Sequence, residues 1–352
     1  MAQRRWMNGG FFSAALVAAC TALASASAVA NPPGLEVRLS APAPVLQGDV
    51  DVTLTVTLVN TTRHPIQVLK WQLPDDELEG ALFRITREDG STVRYEGPIV
   101  KRAAPQAQDH LRIDAGATVS YQVELTASYD LSRSGRYSIE YASPGGHGAQ
   151  AARLGSQPIY LWLEGRSGKG NAPAAAPAAA PAPPVYSSCS ATQQSLLVAA
   201  TSQAVTYSNG AVSYLAATPG PTMRYVKWFG SFSNAGWNTA TSHFGAIQSA
   251  FTTQNLAFDC KCKKPSTYAY VYSNQPYKIY LCGAFWKAPL AGTDSRGGTL
   301  IHEMSHFNVV ASTNDWAYGQ TAAANLALTE PAKALDNADS HEYFAENTPA
   351  LP

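Results

Sequence analysis

Two periodicities divide this chain. Residues 51–59 (DVTLTVTLV) alternate apolar and polar side chains with a period of two, as in a strand that buries one face. Residues 83–87 and 93–95 flank Asp89-Gly90, a hairpin signal, and 118–125, 136–141 and 158–163 continue the alternation between turn residues. Short strands at this spacing predict an all-β antiparallel sandwich over 31–165. From Cys189 the apolar spacing becomes helical, over 190–214, 223–229 and 239–256. Residues 320–329 and 332–347 read as two further helices separated by Pro331. Residues 267–271 and 277–281 read as a hairpin around Asn274-Gln275-Pro276, and the second of these is a place where an extended peptide could add as a strand. The second half, 187–352, is thus expected to be mainly helical α+β with a small sheet. Trp228, Phe229, Trp237 and Phe244 read as its core. Between the halves, 166–186 (RSGKGNAPAAAPAAAPAPPVY) is too poor in large apolar residues to bury a core, and its prolines favour an extended tether.

Composition narrows the classes of function. With 25 basic and 25 acidic residues the formal net charge is zero, so there is no electrostatic case for nucleic acid or an anionic membrane surface. Residues 1–30 read as an export leader: Arg4 and Arg5 precede an apolar run over 11–24, and Ala28-Val29-Ala30 is a small-x-small cleavage site. Lipid attachment at Cys20 is the lesser alternative. No later stretch is apolar enough to span a bilayer, and a secreted monomer is expected. Export places Cys189, Cys260, Cys262 and Cys282 in an oxidising setting, which favours disulfides. Cys260 and Cys262 are too close to bridge comfortably, which leaves two pairings.

The chemistry lies in His302-Glu303-Met304-Ser305-His306, an HExxH pattern. On a helix, positions i and i+4 share a face, so both imidazoles can address one metal, with Glu303 beside them as a general base. The plain alternative is an ordinary helix with two surface histidines. Asp294 or Ser295 can cap this helix, which is expected to run to about 310; Gly297 and Gly298 lower its propensity but permit close packing. A catalytic zinc needs a third protein ligand. The extended pattern HExxHxxGxxH fails, because Val309 and Ser312 occupy its glycine and third-histidine positions. Asp315, nine residues after His306, and Glu330 are the candidates. His110 and His147 stand alone and read as surface residues.

Ser312-Thr313-Asn314-Asp315-Trp316-Ala317-Tyr318-Gly319 resembles the GTxDxxYG motif of the aspzincins, the deuterolysin family of metalloendopeptidases, with Ser312 in place of the first glycine. The resemblance covers most of 187–352. It implies a zincin-like fold and one Zn2+ held by His302, His306 and Asp315. It further implies Glu303 as the base, Tyr318 as a donor to the oxyanion, and the disulfides Cys189–Cys260 and Cys262–Cys282. Residues 337–347 (NADSHEYFAEN) resemble the peptidyl-Lys branch, in which the acids matching Asp339 and Glu342 line the S1′ pocket. Three residues apart on a helix, both can face one pocket and favour a compact ammonium. Cleavage is then expected on the N-terminal side of lysine.

The family often carries a propeptide, so 31–165 is read as an intramolecular inhibitor or chaperone, with a binding module as the alternative. Lys169 is the one lysine of the tether, making Gly168–Lys169 a candidate processing site. Lys101, in the segment 97–102 (GPIVKR) read as a loop, is a candidate occupant of the S1′ pocket before activation. The competing functions are a broad-specificity protease of the same family with a permanent binding module, and a secreted non-catalytic binding protein with a structural metal.

Overall fold

The computed structural model describes residues 31–75, 78–143, 153–167 and 183–352. The leader with Cys20, His147 and the Gly168–Lys169 bond fall outside them. No helix among the described residues is long and apolar enough to cross a membrane.

The N-terminal half is a β-sheet region. One sheet orders Leu35–Ser40, Thr53–Asn60 and Thr118–Glu124, all antiparallel. The alternation read in 51–59 appears directly: along Thr53–Asn60 every second side chain is buried. Besides a two-stranded antiparallel pair, Ile66–Leu69 with His110–Ile113, a further sheet is built on Gly135–Ser143, which pairs with Phe83–Arg87, Leu154–Gly155 and Ile159–Glu164. It is not purely antiparallel, because Val45–Gln47 adds in parallel to Ile159–Glu164. Apolar side chains between the sheets, including Val56, Leu58, Ile85, Tyr137, Ile139 and Leu163, form one core. Residues 93–95 are not the expected strand: the Asp89-Gly90 turn closes through an isolated bridge, Thr86 to Thr92, and the Val93 amide donates to the Ile85 carbonyl at 2.8 Å, while Tyr95 bridges to Tyr129. The Tyr95 hydroxyl instead donates to the carbonyl of Leu78.

The second half is helical α+β. The long helices Ala191–Leu215 and Asn234–Thr253 pack beside the helix Arg296–His306, and Ala338–Glu346 lies against the last. Trp228, Phe229, Trp237 and Phe244 sit in the core between them. Disulfides join Cys189 to Cys260 and Cys262 to Cys282.

The small sheet joins the halves. Its order is Val185–Ser187, Ala257–Asp259, Lys278–Leu281, Thr267–Tyr272, Pro98–Arg102. The last strand comes from the N-terminal half, where the sequence reads as a loop. It runs antiparallel to Thr267–Tyr272, with Val100 opposite Tyr270 and Lys101 opposite Ala269. Lys278–Leu281 is an interior strand with both edges paired, so it cannot accept an added peptide; the edge that takes Pro98–Arg102 is Thr267–Tyr272.

Candidate active site

The helix Arg296–His306 starts at Ser295, whose hydroxyl accepts from the Gly298 amide at 2.9 Å. Asp294, the other capping candidate, has φ 51° and is turned elsewhere. Glu346 also serves this helix start, accepting from the Ser295 amide at 2.9 Å and its hydroxyl at 2.7 Å. That contact explains Gly298: a Cβ there would lie 2.0 Å from the Glu346 carboxylate.

The helix ends at His306, four residues short of expectation. The chain turns back, so that the Ser312 amide donates to the Phe307 carbonyl and the Thr313 amide to the Ser305 carbonyl. This reversal requires φ 57° at Ser312, the left-handed region that favours glycine. Ser312→Gly should therefore stabilise the protein by about 0.5–1 kcal/mol, the steric relief exceeding glycine's entropic cost. Chemical denaturation of the two chains checks this, and an unchanged or lower midpoint would contradict it.

The turn carries Asp315 back over the helix. Its Oδ1 lies 3.3 Å from His302 Nε2 and 3.5 Å from His306 Nε2. These three atoms are buried and make no hydrogen bond among the described residues. Two imidazole nitrogens and one carboxylate oxygen, converging without partners, fit the donor set of a catalytic zinc. The remaining imidazole nitrogens are oriented by the protein. His306 Nδ1 donates to the Thr313 carbonyl at 2.8 Å, and His302 Nδ1 lies 2.8 Å from Asp339 Oδ1. Burial works to raise Asp315, but His306 and His302 outweigh it and hold the group below the usual carboxylate range. Glu330 is not at the site; it pairs with Arg153 at 2.8 Å and with Lys333.

Glu303 follows His302 on the helix and is fully buried, and neither carboxylate oxygen has a hydrogen-bond partner among the described residues. Burial pushes it up to about 8, with the His302 charge opposing. The Tyr318 hydroxyl lies 2.9 Å from Asp315 Oδ2 and 3.1 Å from the carbonyl oxygen of Val100, and its single hydrogen can serve one of them at a time.

Asp339 and Glu342 lie on the helix Ala338–Glu346 and are 1% and 0% exposed. They are not a solvated acidic face. Lys101 Nζ sits 3.1 Å from Asp339 Oδ1, 2.6 Å from Glu342 Oε2 and 3.8 Å from Asp294 Oδ1. Lys101 itself is 1% exposed, with the rings of Tyr268 and Tyr343 beside its ammonium. Burial disfavours that ammonium, but Asp339, Glu342 and Asp294 raise Lys101 well above the usual lysine value. For Asp339 burial is likewise outweighed, chiefly by Lys101 and His302, so its carboxyl stays ionised.

Two contributors escaped the sequence reading. Asp294 supplies a third carboxylate to the pocket and accepts from the Tyr343 hydroxyl at 2.6 Å. Asn337 accepts from the amides of Trp316 and Ala317, which ties the Asp315 turn to the pocket helix. It can do so because the helix expected over 332–347 is broken into Pro331–Ala334 and Ala338–Glu346. Nothing in local periodicity marks either role.

A family profile described as lysine-specific metallo-endopeptidase, aspzincin, matches residues 214–346. An extracellular protease of Aeromonas hydrophila is 44% identical over 94% of this chain and 97% of its own length. The peptidyl-Lys metalloendopeptidase of Grifola frondosa is 36% identical over 96% of this chain and 99% of its own. This chain belongs to the aspzincin family. It is a zinc metalloendopeptidase with an additional N-terminal region. Among aspzincins, the peptidyl-Lys metalloendopeptidase of Pleurotus ostreatus is 55% identical and matches 46% of this chain with 96% of its own length. A solved zinc peptidase from Grifola frondosa aligns over 47% of this chain and all of its own, at 48% identity and a TM-score of 0.45.

Proposed function

We propose that this aspzincin is a secreted proenzyme that hydrolyses peptide bonds on the N-terminal side of lysine, and that its N-terminal half holds it latent by occupying the lysine pocket. The observation that carries this reading is Lys101, an ammonium buried between Asp339 and Glu342 on a strand paired to the edge of the catalytic sheet. An unpaired buried ammonium would be strongly unfavourable, and two carboxylates plus aromatic rings compensate a lysine closely. The name of the Aeromonas relative supports secretion, and those of the fungal relatives support lysine as the selected residue.

In this reading Lys101 stands in for the residue after the cleaved bond and Val100 for the residue before it. A substrate would add antiparallel to Thr267–Tyr272, its backbone paired as that of Pro98–Arg102 is. Asp339 and Glu342 would hold its lysine, and the Tyr318 hydroxyl would donate to the carbonyl oxygen of the preceding residue. Glu303, buried and unpartnered, would take a proton from the attacking water and return it to the leaving amine. Zinc, held by His302 Nε2, His306 Nε2 and Asp315 Oδ1, would supply Lewis-acid polarisation of the carbonyl and activation of water. Processing at Gly168–Lys169, outside the described residues, would sever the inhibitory half.

Digestion of casein followed by sequencing of the new N-termini tests the reading. Fragments should begin with lysine, and a chelator should stop their formation, with zinc restoring it. Fragments beginning with residues of many kinds would instead favour a broad-specificity protease.

A further inference from the structure

Around Lys101 the inhibitory strand brings together charges that do not belong to the lysine pocket. Lys101 and Arg102 leave the strand on opposite faces. On the Arg102 face stands Lys264 of the catalytic half. Its carbonyl accepts from the Gly283 amide at 2.9 Å, in a segment tethered by the Cys262–Cys282 disulfide. Ser266 and Thr267, which follow it closely, pair with Ala103 and Arg102. Lys264 precedes Thr267, the partner of Arg102, by three residues, and its ammonium reaches back to the Glu79 carboxylate that also holds Arg102, the residue after the lysine.

Arginine and lysine side chains facing one another would repel. Glu79, from the N-terminal half, resolves this. Its Oε2 lies 2.6 Å from Arg102 Nη2, and its Oε1 bonds Lys264 Nζ. Arg102 also donates to the Glu79 carbonyl at 3.3 Å and lies over the Trp71 ring. Glu79, Trp71 and Arg102 all belong to the N-terminal half and would leave together. Lys264 would remain in a groove also lined by Lys261, Lys263 and Asp259. Asp259 accepts from the Lys261 amide at 2.9 Å, so three ammonium groups face one carboxylate there. Removal of the N-terminal half thus takes away the carboxylate paired to Lys264 and leaves that lysine in a cationic groove that Thr267, the partner of Arg102, also lines.

We propose that Lys264 is a second specificity determinant, selecting peptides with a carboxylate side chain immediately after the lysine, where Glu79 partners it in the proenzyme. The inference rests on the reading of Lys101 as the residue after the cleaved bond. The class of substrate is lysine followed by an acidic residue, and lysine followed by a basic residue is disfavoured. The preference is modest, because the Lys264 side chain is 56% exposed.

The test uses enzyme activated from the full chain, as wild type and as Lys264→Ala, Lys264→Glu and Lys264→Arg. Quenched fluorogenic peptides differ only in the residue after lysine: glutamate, glutamine or arginine. At low salt, kcat/KM for the wild type should exceed that for the arginine peptide by about three- to tenfold with glutamate, and the gap should narrow in 1 M salt. Lys264→Arg should keep the order, Lys264→Ala should level it and Lys264→Glu should invert it, while every product still begins with lysine. The same glutamate-to-arginine ratio in all four enzymes would overturn the proposal and leave the lysine reading standing. Products that do not begin with lysine would overturn the lysine reading, and this inference with it.

Discussion

Replacing Glu303 by glutamine should lower kcat by about 10²- to 10⁴-fold and leave one zinc bound per chain. Glutamine keeps the size of the side chain and its place beside His302, but it cannot take a proton. Glu303 contributes no atom to the converging set of His302 Nε2, His306 Nε2 and Asp315 Oδ1, so metal content should not fall. Elemental analysis and casein hydrolysis on the same sample separate the two quantities. A variant that loses both would mean that Glu303 supports the centre's structure rather than its chemistry. The purified variant also reports on maturation, because its tether should stay intact at Gly168–Lys169. Trimming of the pure, inactive chain would exclude self-processing.

Lys101→Ala should give a proenzyme about 10- to 1,000-fold more active than the parent toward a small peptide ending its S1′ contact in lysine. The parent strand seals Asp339 and Glu342 with an ammonium, and truncation leaves two buried carboxylates facing an apolar stub. Breaking a buried ion pair from one side costs about 3–5 kcal/mol, here set against docking of the N-terminal half. The cost disappears if that half swings away and a substrate lysine enters. Lys101→Arg is the control. A planar guanidinium is wider than the pocket's ammonium, so latency should weaken with charge unchanged. Latency unaltered in both variants would show that the remainder of the interface, and not the lysine, closes the site.

Some of this architecture was open to a reader of the sequence and some was not, for identifiable reasons. The metal helix was legible because its chemistry is local: His302 and His306 are one turn apart, and that spacing survives any packing. The strand Thr53–Asn60 was legible for the same reason, since a period of two needs no partner to be seen. Asp315 required the motif around it, because its approach to the histidines depends on the reversal at Ser312. For Asp339 and Glu342 the spacing of three shows a shared helix face but not what covers it; only the packing of their helix against Arg296–His306 buries them. Pro98–Arg102 reads as a loop in the sequence because it is short and its pairing partner lies more than 160 residues away, beyond the reach of any local pattern. The exclusion of Lys278–Leu281 as the receiving edge is of the same kind, since a strand's place in a sheet is set by its neighbours.

Asp339 Oδ1 contacts both Lys101 Nζ and His302 Nδ1, at 3.1 and 2.8 Å. In the proposed reading, one oxygen atom therefore belongs at once to the wall that would read the side chain and to the support of an imidazole that would hold the metal. Redesign of this protease for another residue has to respect that sharing. A change at Asp339 would disturb the imidazole as well as the pocket, so selectivity and metal retention would drift together. Glu342 stands 3.5 Å from the same imidazole nitrogen and Asp294 makes no such approach, which leaves those two positions as the ones where preference can be retuned with least disturbance to the centre.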